Sequence, residues 1–320
     1  MPTSLPLVSI IISAYNHEKY IEHTVNSLIN QTYQNLELII IDDGSTDLTW
    51  QKICNLEEIC NKRFCRVVFS THKNAGICET TNKLIELCQG KYIYMIASDD
   101  IAKPFAIEKE VNFLENNPDY ALVVGDNEII DSEGKVCFWD KNRNIVYNKK
   151  QAKFITFADQ LKKNRNFDFT SSKFGSYSTL YVGNYIPNGY LVRSSIFSII
   201  EPFTDEAPLS DLYMMLQIAK YSKMKYLDEI LFSYRWHATN TIKDKVNANL
   251  ITEKTKQYEE EILNRIDLSK VNPEVIEVKN NGVCYKKKGI PYIFQVLTTM
   301  KKGRKTKIFK LFNVKLYESR

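Results

Sequence analysis

The chain has 320 residues, 44% hydrophobic and 25% charged, a globular composition long enough for one large domain or two modest ones, and this excludes a disordered or low-complexity protein. Its seven cysteines form no Cys-x-x-Cys pair and are odd in number, which argues against a zinc ribbon or a disulfide framework and for a reducing compartment. The net charge of +5 conceals an asymmetry, because residues 279–320 carry 12 Lys/Arg against Glu318 alone while the rest carries 31 basic and 37 acidic residues; a basic tail on a mildly acidic body calls for an anionic partner.

Met1 to Pro6 lacks a basic leader, and no apolar run reaches the roughly 18 residues of a membrane span, so the sequence reads as cytoplasmic. Val8 to Ser13 is expected as a strand, Tyr15-Asn16-His17 as a turn, and Glu18 to Ile29 as a helix with Ile21, Val25, Leu28 and Ile29 on one face. Leu36 to Ile41 is a second strand running into Asp42-Asp43-Gly44-Ser45, where Gly44 signals a turn. Val67 to Phe69 is a third strand, Cys78 to Cys88 a helix stopped by Gly90, and Tyr92 to Ile96 a fourth strand leading into Ser98-Asp99-Asp100. This alternation implies a parallel sheet with right-handed crossovers. Ile107 to Leu114 follows as a helix and Tyr120 to Val124 as a strand. Residues 140–189 lack clear periodicity and read as a long loop region over a site. Leu209 to Tyr221 is helical, Lys225 to Tyr234 holds a strand, and the chain beyond Thr241 is expected to be helical and peripheral.

In open α/β sheets ligands bind just beyond the carboxyl ends of the strands, where Asp42-Asp43 and Asp99-Asp100 both stand. Two adjacent carboxylates offer hard oxygen ligands to Mg²⁺ or Mn²⁺ carrying a nucleotide's phosphates, and equally a cap for a following helix. Asp42 or Asp43 reads as ligand-facing or as shaping the Gly44 turn. Tyr15 reads as ligand-facing or as a core aromatic, Asp211 as a base or a helix N-cap, and His237 as a site or a surface histidine.

Six segments stand in order: Ser13-Ala14-Tyr15-Asn16, Asp42-Asp43-Gly44-Ser45, Asn74-Ala75-Gly76, Ser98-Asp99-Asp100, Asp211 and Tyr234-Arg235-Trp236-His237. On this ordered set the chain resembles family 2 glycosyltransferases of the GT-A fold over roughly residues 7–240. The resemblance implies a Rossmann-like α/β architecture, a mostly parallel sheet flanked by helices. Residues 1–240 would form that domain, with a nucleotide-sugar half (1–105) and an acceptor half (106–240), followed by a mainly helical, basic extension over 241–320. The implied reaction is an inverting transfer from a nucleoside diphosphate sugar, usually a UDP-sugar, to a hydroxyl of a surface polysaccharide, lipooligosaccharide or lipid-linked glycan, with Mn²⁺ or Mg²⁺ as cofactor. In similar enzymes the Tyr15 position packs on the base, Asp42 or Asp43 hydrogen-bonds it, and Asp99-Asp100 binds ribose and the metal. Ser13, Ala14, Asn16, Asn74, Gly76, Asn82 and Ser98 fall at the remaining donor-binding positions, His237 joins the metal set, and Asp211 is the general base. The pattern departs at Ala97, where Asp is common, at Thr81, where Arg often precedes Asn82, and at Ser210, where Glu commonly precedes the catalytic Asp. The chemistry itself asks for a base to deprotonate the acceptor hydroxyl and for neutralisation of the leaving diphosphate.

Basic clusters at Lys286-Lys287-Lys288, Lys301-Lys302, Arg304-Lys305, Lys307 and Lys310 alternate with Phe294, Leu297, Phe309 and Leu311. Residues 286–320 therefore suit an anionic leaflet on the inner face of the plasma membrane, or a tail folded back on the body. No nucleic-acid-binding motif accompanies the charge. A nucleotidyltransferase would carry a glycine-rich phosphate loop, and Ser13 to Lys19 has no glycine; a dehydrogenase would carry Gly-x-Gly-x-x-Gly after the first strand. The alternative that stands is a catalytically silent nucleotide- or glycan-binding subunit.

Overall fold

The computed structural model describes residues 5–165, 167–238, 240, 245–281, 294–301, 304–311 and 314–319. Strand β1 (Val8–Ala14) is buried at six of its seven positions and β2 (Leu36–Asp42) at all seven, as expected of strands covered on both faces. Between them α1 (Ile21–Ile29) turns Ile21, Val25 and Leu28 inward. Helices α2 (Thr49–Asn55) and α3 (Glu57–Arg63) lead to β3 (Arg66–Thr71), and α4 (Ile77–Glu86) leads to β4 (Tyr92–Met95). Then come β5 (Ile101–Ala102), α5 (Ala106–Asn116), β6 (Tyr120–Ile130), β7 (Val136–Trp139), β8 (Ile145–Val146), α6 (Phe157–Arg165), α7 (Tyr177–Val182), β9 (Tyr190–Arg193), α8 (Ser210–Tyr221), β10 (Lys223–Arg235), α9 (Lys245–Arg265) and α10 (Pro273–Asn281).

The main sheet has the order β3-β2-β1-β4-β9-β6-β10-β5. Its first four strands are parallel, as the β-α-β alternation predicts, and β6 pairs parallel with β10. β9 enters antiparallel between β4 and β6 and makes the sheet mixed; its four residues are too few for a readable period, yet Leu191 and Val192 are fully buried. The parallel register sets Ala14 opposite Asp42 and Ile11 opposite Met95, so the loops after β1, β2 and β4 open on one rim. Gly44 turns the β2 loop with φ +72°, and a Cβ there would lie 2.6 Å from the Asn74 backbone nitrogen, so position 44 excludes side chains on both counts.

The stretch 140–189 holds β8, α6 and α7, and Phe169, Phe174, Tyr177 and Tyr185 pack in the same core cluster as α8. Helices α9 and α10 lie within the extension and are not peripheral. Leu263, Val271, Val275 and Val278 belong to that cluster, and Thr255 and Glu259 are fully buried. From Phe294 onward the extension departs from the expected helix. β11 (Phe294–Lys301), β12 (Arg304–Leu311) and β13 (Val314–Ser319) form an antiparallel sheet, because this segment carries Thr, Val, Ile, Phe and Tyr along its strands, with Lys301 paired to Arg304 and Leu311 to Val314. Residues 282–293, with Lys286-Lys287-Lys288, lie outside the described residues. Among the described residues no helix is long and apolar enough to cross a membrane.

Candidate active site

Three loops build the rim. After Ser13 and Ala14 close β1, Tyr15 stands 45% exposed, so it is not a core aromatic and its ring is accessible for stacking. Asn16 adopts φ +51°, a conformation its short amide tolerates. Its Oδ1 accepts from the Thr46 N–H at 2.8 Å, and its own N–H donates to Ser45 Oγ at 2.9 Å, which laces the β1 loop to the β2 loop.

The two acids after β2 divide their work. Asp42 Oδ2 accepts from the Ser45 N–H and from Thr71 Oγ1, at 3.1 and 2.8 Å, and so shapes the turn and holds it to β3. Asp43 takes the Ala75 and Gly76 N–H groups on Oδ1 and Oδ2, at 2.7 and 3.1 Å, which brings the Asn74-Ala75-Gly76 motif to the β2 loop; Asn74 itself is exposed. His72 Nε2 lies 3.1 Å from Asp43 Oδ1, while Lys83 Nζ lies 3.3 Å from His72 Nδ1. A lysine ammonium only donates, so Nδ1 accepts and Nε2 carries the proton toward Asp43. Asn82 does not join this group. Its amide donates to Phe203 O and accepts from Phe203 N, at 2.9 and 3.0 Å, clipping α4 to the segment ahead of α8.

The Ser98-Asp99-Asp100 loop after β4 meets the end of β10. Asp99 Oδ2 lies 2.8 Å from His237 Nε2 and 4.0 Å from His17 Nε2, and His17 Nδ1 lies 2.7 Å from Ser98 Oγ. Buried Arg235 pins both acids, donating from Nε to Asp99 O at 2.6 Å and from its backbone N–H to Asp100 Oδ1 at 2.8 Å. Burial raises both carboxyls, but on Asp99 the hydrogen bond to His237 and the neighbouring imidazoles outweigh it and hold the group below the usual carboxylate range. On Asp100 burial and then the Asp99 charge push it well above. The pair thus carries one negative charge, on Asp99, as two adjacent buried carboxylates cannot both ionise cheaply. Burial also lowers His17, so its ring is uncharged at neutral pH and the His237 hydrogen bond is the firmer support for the Asp99 anion.

Among the described residues His17, Asp99 and His237 are the one group of three donors able to hold a metal ion, with ligand atoms within 4.8 Å of one another. A carboxylate and two imidazoles suit a divalent transition metal. Of the expected metal set, Asp99 and His237 are in this group. Asp100 is not, since its Oδ1 is engaged by Arg235 and it is 1% exposed. The sequence reading missed His17, whose only signal was its place in the turn after a buried strand.

Asp211 lies in the first turn of α8 and is not its N-cap, which is Leu209. Its Oδ2 accepts from Asn184 Nδ2 at 2.9 Å and its Oδ1 from the Leu212 N–H at 2.8 Å, while Asn184 Oδ1 accepts from the Ile186 N–H at 3.0 Å and so fixes which way the amide faces. Burial raises the Asp211 carboxyl. The Tyr234 hydroxyl is driven up first by burial, the neighbouring acids add to this, and Arg143 opposes it. Beside it the Arg143 guanidinium sits 4.5 and 4.4 Å from the ring centroids of Trp139 and Trp236, holding the β7–β8 hairpin against the end of β10.

The sequence model described as "Glycosyl transferase family 2" matches residues 9–181. Chondroitin synthase of Escherichia coli is 42% identical over 132 residues, 41% of this chain and 19% of that protein. The matches take in less than two thirds of the length of the first curated relatives. S. aureus TarS 1-349, solved in complex with UDP-GlcNAc, superposes with a TM-score of 0.51 at 16% identity over 74% of this chain and 61% of that one. Mannosyltransferase PcManGT from Pyrobaculum calidifontis, solved with GDP-Man and Mn²⁺, gives a TM-score of 0.51 at 13% identity over 73% and 58%. The two superpositions establish a shared GT-A type fold.

Proposed function

Because the chain belongs to glycosyl transferase family 2, we propose that it transfers a glycosyl group, with inversion, from a UDP-sugar to a hydroxyl of a growing polysaccharide or lipid-linked glycan. The observation that carries this reading is that Asp99, in the loop after β4, stands with His17 and His237 as a group of donors within 4.8 Å of one another, while Asp211 is held by Asn184 and the Leu212 N–H on a separate element. Contrasting environments let one carboxylate serve as a metal ligand and another as a base.

Asp211, ionised, accepts the proton of the acceptor hydroxyl as that oxygen forms its bond to the anomeric carbon. The bond from that carbon to the diphosphate breaks, and its electron pair leaves with UDP. Asn184 and the Leu212 N–H hold the carboxylate in place and keep it from swinging toward solvent. Tyr15 stacks on the base, and Asp43, oriented by His72, Ala75 and Gly76, accepts from a ring N–H of the base. Asp99 and His237 would hold the divalent ion, which when bound neutralises the leaving diphosphate as a Lewis acid. The UDP preference is supported by TarS, which was solved with UDP-GlcNAc, and the polysaccharide acceptor by the chondroitin synthase match. The basic residues of 286–320 are proposed to hold the protein on an anionic membrane surface.

The test is turnover with a panel of UDP-sugars and oligosaccharide acceptors in Mn²⁺, reading UDP release and the anomeric configuration of the product by NMR. An inverted product supports the reading. A retained configuration overturns the base assignment, and UDP binding without turnover on any acceptor favours the silent subunit.

A further inference from the structure

The geometry points to His17 as a third protein ligand of the divalent metal, completing a centre of two imidazoles and one carboxylate that holds the ion before any nucleotide arrives. This rests on the proposed metal-dependent donor site and extends it in ligand identity, metal preference and order of binding.

Two donors on one ion, each about 2.0–2.2 Å from it, stand at most roughly 4.4 Å apart. His17 Nε2 and Asp99 Oδ2 are 4.0 Å apart, an open pair within that span. His237 Nε2 and Asp99 Oδ2 are 2.8 Å apart, with a proton between them, and the ion takes that proton's place. The three side chains come from three rigid supports: the loop laced by Asn16 to Thr46, the loop pinned by Arg235, and the end of β10. His17 is further fixed by its backbone N–H, which donates to Thr49 Oγ1 at 2.8 Å.

The outer partners are also in place. Metal-binding histidines commonly donate their second ring N–H to a nearby acceptor, which sets the tautomer and aims the free nitrogen at the ion. Ser98 Oγ, 2.7 Å from His17 Nδ1, is such a partner, and it leaves Nε2 directed at Asp99. Ser98 belongs to the acidic motif without being an acid, and this contact explains what it does there. The Tyr20 ring, 5.8 Å from that of His17 and 4.9 Å from that of His237, packs against both and restrains them.

Three consequences follow. A site with three protein ligands binds an ion without borrowing phosphate oxygens, so occupancy does not wait for the nucleotide. Its remaining coordination positions are open to the diphosphate. Two imidazoles favour Mn²⁺ and later transition metals over Mg²⁺, whose preference is for oxygen.

Electron paramagnetic resonance of the full chain with Mn²⁺ alone tests this. The expected result is loss of the free-ion signal without nucleotide, nitrogen couplings from two imidazoles, and no displacement by equimolar Mg²⁺. His17→Gln should reduce the couplings to one imidazole, and Ser98→Ala should weaken Mn²⁺ binding by about 10- to 100-fold. One imidazole in the wild type overturns the proposal even if a variant fails to fold, as does Mn²⁺ binding only once UDP is present. That second outcome leaves the glycosyltransferase reading intact, whereas a chain that binds neither UDP nor Mn²⁺ removes both.

Discussion

The proposed donor rim and the proposed acceptor side are held by different means. On the rim each side chain stands within a few residues of the strand that positions it: Tyr15 and His17 after β1, Asp43 after β2, Asp99 after β4. Asp211 instead depends on partners far along the chain. Asn184 lies 27 residues before it, Thr255 Oγ1 accepts from the Leu209 N–H just ahead of α8 across 46 residues, and Asn82 holds Phe203 across 121. Behind the same helix, fully buried Lys220 and Glu259 form an ion pair at 2.9 Å, which Gln217 and Tyr177 complete by donating to Glu259 at 2.8 and 2.6 Å. Burial lowers the lysine pKa and raises the glutamate pKa, each opposed by the partner's charge. The rim should therefore tolerate remote substitution, and Asp211, the proposed base, should not.

The sharpest break is Asp211→Asn, expected to cut transfer by about 10²- to 10⁴-fold, the range for losing a general base, with UDP affinity unchanged in a calorimetric titration; normal turnover would remove Asp211 from the mechanism. Lys220→Met comes next. It leaves Glu259 buried without its counter-charge, at a cost of about 3–5 kcal/mol, so the thermal midpoint should fall and transfer with it, while Mn²⁺ binding by the folded fraction persists. Equal loss of metal binding would mean that the two sides are not separable.

Tyr15→Ala isolates the rim. Stacking of a base on an aromatic ring contributes about 1–3 kcal/mol, so the donor KM should rise by roughly 5- to 150-fold with kcat unchanged at saturation. The mildest change is Asn184→Ala. Its hydrogen bond lowers the Asp211 pKa, so its loss leaves burial less opposed and the carboxyl is raised further. As the base works only when ionised, the acid limb of the kcat profile should move to higher pH while the donor KM holds. A profile that does not move would separate Asn184 from Asp211.

The first hundred residues were readable because each strand's period and each turn residue act locally. The expected strands and helices are present there, with α2 and α3 in addition between β2 and β3, and the strand-end acids fall on one rim as the parallel connection requires. Beyond that point the reading thins out. β9 is four residues long, and 140–189 draws its order from aromatic packing between segments that are themselves irregular. The extension was expected to be peripheral, yet Glu259 and Thr255 face inward because Lys220 on α8 and the Leu209 N–H at its cap are their partners, a complementarity invisible along either helix alone.

From the residues themselves came the class of fold, the order of the motifs and the identity of the acids, since strand period, glycine turns and carboxylate pairs are written in adjacent positions. Tertiary structure decided their roles. It assigned Asp42 to the turn and Asp43 to the rim, turned Asn82 away to Phe203, set Asp100 against Arg235, and brought His17 to Asp99 and His237. Most of those outcomes depend on which side chains meet across 29 to more than 200 residues of chain, and a one-dimensional pattern holds no record of distances in space.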